Sequence, residues 1–184
     1  MPVKILFCFA LLFSINFAYA DGKNLFEQGE HLFRTAGGYG CSTCHGMFAQ
    51  GGGNVGGDVR GKGIDKINIA LEKEPTMQLL SNALNLEQRE LLASYLIELG
   101  KMPSVEWIID DKVTFSSASI QGGSLSQLIL VNKRLETIKI ALPLVAESSF
   151  IEIKPYETKA VQWMPKEGTI ELVYKQSVLA IQVK

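Results

Sequence analysis

Cys41-Ser42-Thr43-Cys44-His45 is the stretch on which the reading of this chain turns. The whole sequence of 184 residues contains three Cys and two His, and three of those five side chains fall within five consecutive positions. Two thiols separated by two residues, with an imidazole next to the second, bring two soft nucleophiles and one nitrogen donor to one turn of chain.

That combination has a specific use. Two such thiols can form thioethers to the two vinyl groups on one edge of a haem, and the adjoining His45 is then carried under the ring to bind iron. Two other readings compete. A redox dithiol of the thioredoxin type needs the motif at the end of a strand in a βαβ unit, whereas the residues before Cys41 read as a helix followed by Gly37-Gly38-Tyr39-Gly40. Zinc needs four ligands, and beyond these three only His31 or a carboxylate is at hand.

The first twenty residues set the compartment. Lys4, an apolar run from Ile5 to Phe13 and Ala18-Tyr19-Ala20 before Asp21 follow the pattern of a secretory signal peptide, with cleavage expected after Ala20. The run is shorter than a spanning helix needs, so the mature chain is expected to have no transmembrane helix and to be periplasmic, an uncleaved anchor being the alternative. Cys8 leaves with the leader. The remaining pair, Cys41 and Cys44, would close too small a loop for a useful structural disulfide.

Composition excludes other classes. The chain is 47% hydrophobic and 20% charged, as expected of a globular protein. Lys+Arg 18 against Asp+Glu 19 leaves no basic face for nucleic acid.

The chain changes character near Met102-Pro103-Ser104. Eleven of its seventeen glycines lie between Gly37 and Gly63. Before the change the apolar spacing is helical: Leu25, Gly29, Leu32 and Phe33 share one face, and Ile64, Ile67 and Leu71 make a stripe that Pro75 stops. Asn85 with Gln88 forms a capping-box-like start to a third helix carrying Leu91, Leu92, Tyr95, Leu96 and Leu99. After Pro103 the period becomes two, and runs such as 113–115, 128–131, 137–140, 150–153, 159–163, 169–174 and 178–183 read as strands. About seven short strands suggest an antiparallel sandwich. The expected organisation is a signal peptide at 1–20, a haem domain at 21–103 and a β-sandwich domain at 104–184.

Residues 24 to 100 resemble the small mono-haem c-type cytochromes. Besides the Cys41/Cys44/His45 motif, the resemblance rests on Gly29 and Phe33 in the first helix and Leu92 and Tyr95 in the last, where a glycine lets the helices cross closely. It implies an all-α haem domain with one covalent haem c, His45 as the axial iron ligand and Met77, after Pro75-Thr76, as the sixth ligand. A thioether there favours Fe(II) and closes the iron to outside ligands. A core Met packed on Leu79 and Leu80 is the plainer reading of Met77. Two departures stand out: the link from Phe33 to Cys41 is long, and Gly57 stands where the family places a Pro whose carbonyl accepts from the axial His. Arg60 is a candidate partner for a haem propionate, the other reading being a solvated Arg.

Residues 104–184 contain no His or Cys, which excludes a blue-copper site, and weakly resemble immunoglobulin-like modules of bacterial envelope proteins. They read as a docking or structural module. The expected function is electron transfer between a protein donor and a protein acceptor, without enzymatic activity of its own. The alternative is a haem subunit of a larger periplasmic oxidoreductase, or a ligand-binding haem protein with an open or displaceable sixth position.

Overall fold

A computed structural model describes residues 15–53, 55–142, 145 and 150–184. Most of the expected leader therefore lies outside the described residues, and its last positions belong to the first helix. The chain divides into two compact units between Leu99 and Gly100. No helix among the described residues is long and apolar enough to cross a membrane.

The first unit carries five α-helices: α1 Ile15–Thr35, α2 Ser42–His45, α3 Ile64–Lys73, α4 Pro75–Gln78 and α5 Leu86–Lys101. Helix α5 begins with a reciprocal capping box. The Gln88 N–H donates to Asn85 Oδ1 at 2.9 Å and the Asn85 N–H donates to Gln88 Oε1 at 3.0 Å, so two orphan donors are satisfied together. Helix α4 starts on Pro75, whose missing N–H costs nothing in a first turn. Helices α1 and α5 touch where Gly29 meets Tyr95, with the Tyr95 ring tilted between Phe26 and Phe33 at centroid distances of 5.0 and 5.6 Å. A Cβ on Gly29 would lie 2.6 Å from Tyr95 Cβ, so this contact exists only because position 29 has no side chain.

The second unit has eight strands: β1 Ser104–Ile109, β2 Phe115–Ile120, β3 Ser126–Asn132, β4 Ile138–Ala141, β5 Phe150–Ile153, β6 Thr158–Trp163, β7 Gly168–Tyr174 and β8 Ser177–Val183. They form three small sheets, ordered β1-β3-β6, β2-β8-β7 and β4-β5. Trp107, Leu128, Leu130, Ile140, Ile153 and Ile181 form the centre of one hydrophobic core. Alternation along β1 puts Val105, Trp107 and Ile109 inside and Ser104, Glu106 and Ile108 outside, the period-two pattern of a half-buried strand. Asn132, 1% exposed, ends β3 as a polar clamp: its Nδ2 donates to the carbonyls of Glu136 and Lys154, both at 2.8 Å, while Oδ1 accepts from the Arg134 N–H.

The expected fold class, an all-α cytochrome c haem domain followed by an all-β antiparallel immunoglobulin-like sandwich, is corrected. Two of the five helices are only four residues long, and no described residue between 46 and 63 is helical, so the first unit is not an all-α domain. The glycines of that stretch, several at positive φ, favour loops over helix. In the second unit β1 pairs with β3, and β2 with β8, in parallel. The reason is connectivity: β1, β2 and β3 alternate between two sheets instead of forming hairpins, so β3 re-enters the first sheet running the same way as β1.

Candidate functional site

The backbone around Cys41 is shaped by two glycines. Gly40, at φ +73°, returns the chain onto the end of α1, and its N–H donates to the Ala36 carbonyl at 2.9 Å. Gly46, at φ +80°, ends α2 directly after His45 and lets the chain double back, so that the Gly51 N–H reaches the His45 carbonyl at 2.8 Å. Between them a single helical turn is closed by the His45 N–H on the Cys41 carbonyl at 2.9 Å. This turn puts both cysteines and the histidine on one short rigid element.

The loop at Gly56 and Gly57 then fastens the histidine. The Gly56 N–H donates to the Cys44 carbonyl at 2.8 Å, and His45 Nδ1 lies 2.9 Å from the Gly57 carbonyl oxygen. A carbonyl can only accept, so Nδ1 carries the proton and Nε2 keeps its lone pair. Nε2 has no hydrogen-bond partner among the described residues. Gly57 does the work of the expected proline, because the interaction needs only a main-chain oxygen.

Two adjoining cavities open around this turn. One, of about 150 Å³, is walled by Phe33, Ile67, Leu84, Leu92 and Leu96, with Lys62 and Lys66 also on its lining. The other, of about 230 Å³, is lined by Cys44, Tyr39, Val55, Gly57 and Leu80 among others. Cys41, His45, Glu74 and Met77 line both. All four residues singled out from the sequence, Cys41, Cys44, His45 and Met77, therefore border this pair of neighbouring cavities. Met77 is half-buried on α4; of the two leucines after it, Leu79 is 74% exposed, whereas Leu80 is buried and lines the second cavity together with Met77.

The cysteines are free thiols, Cys41 buried and Cys44 half-buried. Burial pushes the Cys41 thiol up to about 11, the opposite of what a nucleophilic redox dithiol requires. Among the described residues no group of three or more His, Cys, Asp and Glu is placed to hold a metal ion, and His31 is exposed on α1. A flat apolar macrocycle suits this donor set better than a bare ion does. Cys41 borders both cavities and Cys44 one of them, His45 and the Met77 thioether border both, and the remaining walls are largely hydrocarbon.

Arg60 is placed differently from its sequence reading. Its guanidinium donates to the carbonyls of Leu99 at 2.7 Å and Phe48 at 3.2 Å, tying the loop to α5. Residues that the motif reading passed over are Lys62, Lys66 and Glu74, each on the cavity lining. Their only sequence signal is position: Glu74 immediately precedes Pro75, and the two lysines flank the start of α3, Lys62 just before it and Lys66 in its first turn. Compared with known proteins, the chain matches no family model and no curated sequence.

Proposed function

We propose that the first unit carries one covalently attached haem c and passes single electrons between a protein donor and a protein acceptor, in the periplasm. A haem held there supplies the Fe(III)/Fe(II) couple. Cys41 and Cys44 anchor it through thioethers. His45 offers Nε2 to the iron, and the Gly57 carbonyl, by holding Nδ1–H, fixes the ring and raises the basicity of that nitrogen. Phe33, Leu84, Leu92 and Leu96 exclude water, which keeps the local dielectric low. Met77 supplies a soft thioether on the same space, which favours Fe(II).

The observation that carries this reading is the convergence of Cys41, Cys44, His45 and Met77 on two cavities that share three of them, with His45 held in the metal-binding tautomer. The test is production of the full chain alongside a haem-attachment system, followed by acid–acetone extraction. Colour that stays with the wild-type chain and is lost from a Cys41→Ala/Cys44→Ala variant is expected; colour extracted from the wild type would overturn the reading. The second unit, with no His or Cys, serves as a docking or structural module in this scheme.

A further inference from the structure

The geometry points to Lys62 and Lys66 as the residues that receive the two carboxylates of the macrocycle, an assignment that rests on the haem reading above. The two side chains line the apolar cavity together, Lys62 from the loop just before α3 and Lys66 from its first turn. Neither ammonium has a hydrogen-bond or ion-pair partner among the described residues. Both lysines are exposed, so their stems can lie along the hydrocarbon walls while the ammonium groups stay in water at the cavity lining, within reach of an anionic group on a molecule seated there.

The layout of the cavities agrees with the polarity of a haem. Its vinyl groups and its propionates lie on opposite edges, so anchoring the vinyl edge at Cys41 and Cys44 sends the carboxylates away from those thiols. Cys44 lines one cavity only, the lysines line the other only, and Cys41 and His45 border both. Arg60 is occupied with the carbonyls of Leu99 and Phe48. Glu74, on both linings, carries the wrong sign. That leaves the lysine pair as the cations on the cavity lining suited to the propionates.

The experiment compares haem with haem dimethyl ester, the same macrocycle without carboxylates, binding non-covalently to the full chain carrying Cys41→Ala and Cys44→Ala. Adding Lys62→Gln and Lys66→Gln is expected to weaken haem by about twofold to thirtyfold, the range for two exposed ion pairs, and to leave the ester unchanged. Lys62→Arg with Lys66→Arg should restore haem affinity. Ester binding doubles as the check that the variant is folded. Equal losses for haem and ester, or unchanged haem affinity, would overturn the assignment while leaving the haem reading standing. Uptake of neither tetrapyrrole would overturn both, and extraction of all colour from the wild-type holoprotein would identify the haem reading as the one that failed.

Discussion

His45 Nδ1 and the carbonyl oxygen of Gly57 lie 2.9 Å apart, twelve residues from each other along the chain. The loop that supplies the oxygen is itself held by the Gly56 N–H on Cys44, so one turn of chain orients the ring and is oriented by it.

A methyl group at position 56 would run into this arrangement, since a Cβ there would stand 2.7 Å from both His45 Cε1 and the Cys44 carbonyl oxygen. At Gly57 a Cβ would meet nothing within 4 Å. Gly56→Ala should destabilise the first unit by about 1–3 kcal/mol, the usual range for overpacking, and lower the yield of covalent haem. Gly57→Ala should leave both near wild type. Urea unfolding and the absorbance of protein-bound haem check the pair.

Gly29→Ala tests the helix crossing. The added Cβ meets Tyr95 Cβ at 2.6 Å, and overpacking of about 1–3 kcal/mol outweighs the gain of up to about 1 kcal/mol from helix propensity. A net loss of about 1–2 kcal/mol in urea unfolding is the expected result, and a stabilised variant would show that the helices part easily.

Under the proposed haem function, Met77→Ala leaves Cys41, Cys44 and His45 in place, so covalent attachment should persist. Removing the thioether should lower the reduction potential, abolish the weak red band of Met-ligated Fe(III) and allow the ferrous protein to bind carbon monoxide rapidly. A wild-type protein that already binds carbon monoxide rapidly would instead mark an open or displaceable sixth position.

The two thiols should differ in reactivity in chain made without haem attachment. With Cys41 raised to about 11, only about one molecule in a thousand carries its thiolate at pH 8, and burial restricts access further. Iodoacetamide should label the half-buried Cys44 at least about tenfold faster, as read by peptide mass spectrometry.

In the second unit Glu136 Oε1 accepts from Lys175 Nζ at 2.6 Å, from Arg134 Nε at 2.9 Å and from the Tyr174 hydroxyl at 3.0 Å. Those hydrogen bonds, that of Lys175 foremost, hold its carboxyl down to about 2 from an ordinary 4.5. A depressed carboxyl stabilises fully above its unfolded value and loses that contribution as pH falls from about 4.5 through about 2. Glu136→Gln should therefore flatten the acid limb of the stability curve across that window, as followed by the near-ultraviolet signal of Trp107 and Trp163.

Local chemistry was legible in the sequence and long-range pairing was not. The Asn85/Gln88 cap, the end of α3 before Pro75 and the Gly29–Tyr95 contact each depend on residue types at short spacing or on a missing side chain, and all are present. Strand β1 escaped notice although Val105, Trp107 and Ile109 alternate, because it starts only three residues after α5 ends. In β2 the alternation is hidden by Ser116, Ser117 and Ser119, residues whose size does not reveal which face they take. Parallel pairing left no local mark, since it depends on which sheet each strand joins. At the site, the motif located the thiols and the imidazole, whereas Lys62, Lys66 and the carbonyl-bound Arg60 are defined by neighbours distant in sequence.

The parallel partnership of β2 with β8 has a consequence for the order of events during folding. Phe115 pairs with Val178 across a separation of sixty-three residues, and β7 reaches this sheet only through β8. The central strand of the sheet is therefore made after its edge, and β2 must wait, unpaired, until nearly all of the second unit has emerged. Closing so long a loop makes the β2–β8 pairing a late step, after the local β7–β8 hairpin. During that interval the chain exposes one unprotected strand, Phe115 to Ile120, and its three serines reduce the hazard by making it a poor template for another chain.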